Sequence, residues 1–326
     1  MAWQATAGLR LLKGDSSETI LEAVRDLFKN ESSLEYKAEW VTVLEGSQEA
    51  AYLWVAINYL LGTAGKKYSE TVGTIDLGGG SVEMTYAVSK EIAAKASKIS
   101  TGQGKYVQDK YLKGTKYHLY AYSYLNYGLL AARAEVLKVS RNYSHPCILY
   151  GYHGYYTYNG VVYRALALPS GSNMKKCRAF VLKALKINAP CKHKNCTFNG
   201  VWNGGSGAGQ KNLYVASFFY DIASEVGIIE PNVPSQIVRP VDFKNAAKLA
   251  CRTKYKDIKS VFPKIDERDM PVICLDLVYE YSLLVNGFGL NPFQKITLVN
   301  EIEYKNSFIG TAWPLGAAID AVSSHT

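Results

Sequence analysis

No apolar run in this chain is long enough to cross a bilayer. The longest, residues 50–61, carries Asn58 and falls short of the roughly 20 residues a spanning helix needs. Close pairs of metal-binding residues are equally scarce. Cys191-x4-Cys196 is the one close cysteine pair, and no second Cys or His pair completes it, which excludes a zinc site of the usual spacing. There is no internal repeat and no low-complexity linker, so repeat and fibrous architectures drop out. The formal charge of +9 comes from scattered lysines, with short pairs such as Lys66-Lys67 and Lys175-Lys176. Without a basic stripe interleaved with aromatics, a solvated basic surface is expected and nucleic acid is not.

Cysteine is missing from the first third of the chain. The six that follow, Cys147, Cys177, Cys191, Cys196, Cys251 and Cys274, are even in number, as disulfides require. Three sequons, at Asn30, Asn142 and Asn195, join them in favouring an oxidising, secretory setting. Met1-Ala2-Trp3-Gln4 does not open a signal peptide. With 48% apolar and 20% charged residues in 326, the composition is globular and the length suits two lobes.

The most informative stretch is T-V-G-T-I-D-L-G-G-G-S-V-E-M-T-Y-A-V, starting at Thr71. It reads as a strand ending at Asp76, a turn of Gly78, Gly79 and Gly80 closed by Ser81, and a second strand from Val82. Three successive glycines let backbone N–H groups converge without Cβ clashes, as in phosphate cradles. An acid beside such a cradle commonly serves a divalent cation. A glycine-rich hairpin turn with a capping Asp fits the local pattern equally well.

Upstream, residues 17–29 form an amphipathic helix with Ile20, Leu21, Val24, Leu27 and Phe28 on one face, capped by Ser16 or Ser17. A strand over 40–44 runs into a helix over 46–61. Glu49 therefore sits in that helix's first turn, where the macrodipole stabilises a carboxylate whether or not it has a further role. Downstream, the spacing predicts a tyrosine-rich helix over 117–139, with Tyr120, Tyr124, Tyr127 and Leu130 sharing a face. Residues 145–152 and 161–168 read as strands joined by a Gly/Tyr loop, and 175–186 as a helix. A second glycine-dense stretch, 199–210, leads into a helix over 213–226. Helices over 242–252 and 273–285, a strand over 296–302 and a short last helix complete an α/β chain with mixed sheets.

These residues amount to a resemblance. A-T-A-G-L-R at 5–10, G-S-Q-E-A-A-Y-L-W-V-A-I-N-Y-L-L-G at 46–62, I-D-L-G-G-G-S-V-E-M at 75–84, W-N-G-G-S-G-A-G-Q-K at 202–211 and A-W-P-L-G at 312–316 resemble, in order, signature regions of the apyrases. These are the nucleoside triphosphate diphosphohydrolases, and the similarity is greatest to plant members. It implies a two-lobed, actin-like (ribonuclease H-like) nucleotide fold. Residues 1–45 plus 304–326 would form an incomplete first lobe and 46–303 the second. The activity implied is hydrolysis of the terminal phosphate of nucleoside tri- and diphosphates with Ca²⁺ or Mg²⁺. Non-hydrolytic nucleotide or oligosaccharide binding, as in lectin-like legume relatives, is the alternative.

On this resemblance Glu49 matches the catalytic base and Ser81 the hydroxyl that positions the attacking water. Gly78, Gly79 and Gly80 match the phosphate-binding amides. Asp76, Thr6 and Glu49 match groups around the metal, Trp313 a residue near its water shell, and Tyr220 or Phe219 the nucleobase stack. It pairs Cys191 with Cys196, Cys251 with Cys274 and Cys147 with Cys177, and it implies export. The family's first phosphate loop, D-A-G-S-[ST]-G-[ST]-R in form, lies upstream of where this chain starts, so weak turnover is expected of the chain as given. Ala50 stands where the family usually has Gly, and Glu83 where it usually has Gln. A second carboxylate about 4 Å from a phosphate costs about 4 kcal/mol at an effective dielectric of roughly 20. Glu83→Gln is therefore expected to raise activity.

Overall fold

The computed structural model of the chain describes residues 3–96, 106–140, 144–205 and 210–323. The sequon at Asn142 and part of the second glycine-dense stretch lie outside them. The chain opens with β1 (Trp3–Ala5), α1 (Ala7–Arg10), α2 (Ser16–Glu31) and β2 (Val41–Val43). β1 and β2 form a parallel two-stranded sheet, and among the described residues they pair only with each other. Asp15, not Ser16 or Ser17, is the cap position of α2. No side-chain cap bond forms there, and Thr19 Oγ1 donates to the Asp15 backbone carbonyl at 3.0 Å.

The glycine-bearing stretch forms the middle of a larger sheet. After α3 (Gly46–Leu60) come β3 (Gly73–Leu77) and β4 (Ser81–Val88), paired antiparallel across the expected turn. A short helix, α4 (Lys90–Ala96), precedes β5 (Val107–Leu112) and β6 (Thr115–Leu125). The expected tyrosine-rich helix is thus a strand up to Leu125, followed by a shorter helix, α5 (Leu129–Val139). Period-2 packing overrides the helical spacing. Tyr117, Leu119 and Ala121 join the apolar cluster around Trp54 of α3, while Tyr120, Tyr122 and Tyr124 face the main core on the opposite side.

The same alternation corrects two further expectations. β7 (Ser144–His145) is short, and the presumed Gly/Tyr loop is a hairpin of β8 (His153–Tyr158) and β9 (Val161–Ala167). Its turn is Asn159-Gly160, both at positive φ, the pairing a two-residue hairpin loop favours. Beyond α6 (Met174–Ala184), the helix expected from 213 begins as a strand, β10 (Leu213–Ser217), whose Leu213 and Val215 enter the main core while Tyr214 and Ala216 pack on the α3 side. α7 (Phe218–Glu225) starts only after Ser217, at φ 61°.

The remaining elements are β11 (Ser235–Val238), α8 (Pro240–Ala250), α9 (Ile258–Val261), α10 (Ile273–Ser282), β12 (Ile296–Val299), β13 (Glu301–Tyr304), β14 (Ser307–Gly310) and α11 (Trp313–Ser323). The single strand expected over 296–302 is therefore two. They break at Asn300, where Asn300 and Glu301 both donate to the Pro234 carbonyl. The large mixed sheet has the order β11-β12-β10-β3-β4-β6-β5. All eight residues of β4 are buried, because α3 and α11 cover one face while α5, α7 and α10 cover the other. The three disulfides pair as the resemblance implied, with Cα separations of 4.8, 5.8 and 4.8 Å. No helix among the described residues is long and apolar enough to cross a membrane.

Candidate active site

The turn between β3 and β4 is gripped from one side. Leu129 and Ala131 of α5 donate to the carbonyls of Gly78 and Gly79 at 2.9 and 3.0 Å, and Asn126 donates to that of Gly80 at 2.8 Å. In a trans peptide the N–H points opposite to the C=O, and no cis bonds are present. The amides of Gly79, Gly80 and Ser81 therefore face away from these donors. Close packing requires the glycines. A Cβ on Gly80 would sit 2.9 Å from that of Ala7 in α1, and one on Gly128 would sit 2.5 Å from the Gly78 carbonyl oxygen.

Three carboxylates gather beside this turn. Asp76 at the end of β3 lies directly across the ladder from Glu83 of β4, and Glu83 lies across from Ser123 of β6. Like charges opposed this way destabilise a sheet unless something neutralises them. Glu49 enters from the first turn of α3. One cation meets the group: Arg10 donates through Nη2 to Glu49 Oε2 at 2.8 Å and to Ser81 Oγ at 3.2 Å, with Glu83 Oε1 at 3.9 Å. Its Nη1 bonds the Leu44 carbonyl at 3.0 Å, which fixes the fork. Ser123 Oγ donates to Glu83 at 2.6 Å, and Ser217 Oγ donates to Asp76 at 2.6 Å.

With three acids and one arginine, charge is under-compensated. Burial pushes the Glu49 carboxyl up to about 7; Arg10 opposes this, Asp76 adds to it, and a hydrogen bond from Thr6 holds it down. Burial also raises Asp76, against the pull of its Ser217 bond. Glu83, only 3% exposed, is raised furthest, by burial first and then by Glu49 and Asp76.

The expected site residues divide accordingly. Glu49, Ser81, Glu83, Asp76, Thr6 and the three glycines come together. Tyr220 does not: it is a core residue whose hydroxyl donates to the Val233 carbonyl at 2.6 Å, so its ring has no open face for a base. Phe219 is fully buried against Phe243. Trp313 packs on the apolar cluster of Leu53, Ile57 and Ala216, and it reaches the Asp76 strand end only through Ala216, the ladder partner of Asp76. Arg10, Ser123, Ser217 and Gly128 were not anticipated as site residues. An arginine ending the apolar run A-T-A-G-L was the one available signal among them.

No group of three His, Cys, Asp or Glu placed to hold a metal ion occurs among the described residues. A carboxylate at Asp76 with the Thr6 hydroxyl and Glu49 nearby suits a hard cation that is carried mostly by water and phosphate oxygens, as Mg²⁺ characteristically is. The uncompensated negative charge of the cluster fits the same demand.

Comparison with known proteins shows the family. The model of the GDA1/CD39 (nucleoside phosphatase) family matches residues 1–326. An apyrase of Solanum tuberosum is 57% identical over 322 residues, covering 99% of this chain and 71% of that protein. Apyrase 1 of Arabidopsis thaliana is 56% identical, covering 98% of this chain and 68% of that protein. Among solved structures, nucleoside triphosphate hydrolase from Neospora caninum superposes with a TM-score of 0.62 at 12% identity over 99% of this chain and 72% of its own, a likeness of fold.

Proposed function

This chain belongs to the GDA1/CD39 (nucleoside phosphatase) family, and from that premise we propose that it hydrolyses the terminal phosphate of nucleoside tri- and diphosphates, with Glu49 as the base that deprotonates the attacking water. The observation that carries the reading is the meeting of Glu49 and Ser81 on one arginine at the mouth of a turn whose amides face outward. Phosphoanhydride hydrolysis asks little covalent chemistry of a protein. Aimed N–H donors, a placed water and a base suffice.

Each residue then has a defined part. The amides of Gly79, Gly80 and Ser81 hold phosphate oxygens. The Ser81 hydroxyl accepts from Arg10 and hydrogen-bonds the Glu83 carboxyl, which fixes it where the water is to be positioned. Glu49, poised at about 7, is charged often enough to accept a proton and basic enough to want it. Glu83 has the size of the Gln usual in the family, and burial with Glu49 and Asp76 nearby pushes its carboxyl toward the neutral form, which lessens the negative charge beside the phosphate. A divalent cation of the kind the family generally uses, Ca²⁺ or Mg²⁺, would be held by Asp76 with Thr6 and Glu49 and would supply positive charge to the phosphate oxygens. Three disulfides suit an oxidising compartment, and we place the protein in the secretory pathway or outside the cell.

The test is inorganic phosphate released from ATP and ADP with Ca²⁺ or Mg²⁺. Glu49→Gln is expected to lower turnover by about 10²–10⁴-fold, the range of general-base catalysis, while nucleotide binding persists. Release within threefold of the unsubstituted chain would remove Glu49 from the role.

A further inference from the structure

A second concave site lies between the start of α6 and the end of α8, on elements that carry none of the residues around the glycine turn. Its volume is about 370 Å³, and its charged lining is entirely cationic: Lys175 and Arg178 from α6, Lys248 from α8, and Arg252 just beyond it. Each pair is one helical turn apart, three and four residues, where side chains share a face and like charges repel. Among the described residues none of the four has an ion-pair partner. A solvated basic face ordinarily carries interspersed acids, and here the lining has none.

The walls are fixed before anything binds. The Cys147–Cys177 disulfide anchors α6, and Cys251–Cys274 anchors the end of α8. Ser172 Oγ ties the two together by donating to the Cys251 carbonyl at 2.9 Å. Arg178 is held by one arm, Nη2 donating to Asn286 Oδ1 at 2.8 Å, while its buried Nε finds no acceptor. Lys175, Lys248 and Arg252 reach solvent at the rim.

We propose that this cleft binds a multiply charged phosphate-type anion, at a site separate from the glycine turn. Four cations held close without acids leave a charge that a monovalent ion cannot offset. A guanidinium in the wall suits the paired oxygens of a phosphate, and the two lysines act as point charges that accept several orientations. The volume admits a short polyphosphate or the phosphate chain of a nucleotide.

The experiment is lysine acylation read by mass spectrometry, with inorganic tripolyphosphate as the probe and divalent cations removed. Lys175 and Lys248 should be protected at probe concentrations that leave the exposed Lys29 and Lys90 fully reactive. A Lys248→Glu/Arg252→Glu double substitution should weaken protection of Lys175 about tenfold or more, since each charge-assisted contact is worth about a factor of ten. Glu49→Gln should leave the protection unchanged. ADP protecting the same lysines at similar concentration identifies a nucleotide as the ligand, and protection by tripolyphosphate alone identifies a free polyphosphate. Uniform protection of all lysines, no protection, or protection unaltered in the double variant would overturn the site.

Discussion

Two clusters of buried carboxylates are each built around one arginine, and they differ in what surrounds them. At the glycine turn Arg10 gathers Glu49, Ser81 and, more distantly, Glu83, with Arg10 and Glu49 side chains 14% and 10% exposed. Deeper in the core, Arg133 of α5 donates to both oxygens of Asp276 at 2.9 and 2.8 Å and to Asp269 at 2.6 Å, with side chains of Arg133 and Asp276 only 4% and 0% exposed. Glu280, one turn along α10, is wholly buried, and neither of its carboxylate oxygens has a hydrogen-bond partner among the described residues. Burial raises the acids in both places: Asp276 to about 6, Glu225 to about 7, and Glu280 well above the usual range. Perturbed carboxylates therefore do not identify a catalytic site by themselves. What separates the two clusters is access and a set of backbone amides facing outward, which the glycine turn has and the Arg133 cluster lacks.

The comparison can be broken at several points. The largest effect is expected from Arg133→Met, which leaves Asp276 and Glu280 buried without their cation and should cost about 3–5 kcal/mol of stability in denaturant unfolding. Adding Asp276→Leu should recover most of that loss, and if it does not, Arg133 matters for packing and not for charge. Next comes Arg10→Gln, whose effect should be on turnover. Arg10 holds the Glu49 carboxyl down, so its removal lets that group stay protonated to higher pH. Phosphate release at pH 7 should fall about 10–100-fold, and the acid limb of the pH–rate profile should move upward by about one to two units. An unmoved limb would mean that Arg10 does not tune the base.

Smaller effects come from proton linkage. In both clusters the folded chain keeps protons that the unfolded chain has already released between pH 4 and about 7, so stability should fall as pH rises through that window. The midpoint of thermal unfolding should be higher at pH 5 than at pH 7.5. Glu280→Gln, neutral at every pH, should flatten the slope, and a slope as steep as before would place the effect elsewhere. The smallest change is expected from Glu83→Gln. Simple like-charge repulsion predicts a gain in activity. Because burial raises the Glu83 carboxyl and works against its charge, turnover at pH 7 should stay within about twofold, and a large gain would show that Glu83 is ionised in the folded protein.

Much of the site was readable locally. The Asp76-to-Ser81 turn falls where its glycines put it, Glu49 falls in the first turn of α3, and the cysteines pair as the resemblance implied. The failures share a cause. Tyr120, Tyr124, Tyr127 and Leu130 fit a helical face, yet residues 117 to 125 alternate between two apolar clusters on opposite sides of the sheet. When both faces of a strand are buried, apolar residues occupy every position and the period-2 signal disappears from the sequence. β10 is hidden for the same reason, and so is the strand end that presents Ser217 to Asp76.

Local chemistry in the chain was enough for the glycine turn, the acids near it, the disulfide chemistry and the α/β class, because turn conformation, helix starts and cysteine parity depend on residues close in sequence. Tertiary packing decided the rest. Arg10 meets Glu49 across 39 residues and Ser81 across 71, and Ser217 meets Asp76 across 141. Tyr220 was turned into the core, and burial with Glu49 and Asp76 raised the Glu83 carboxyl. Which side chains share a site, and in what charge state, depends on burial and on partners supplied by distant strands, and neither is encoded in any local run of residues.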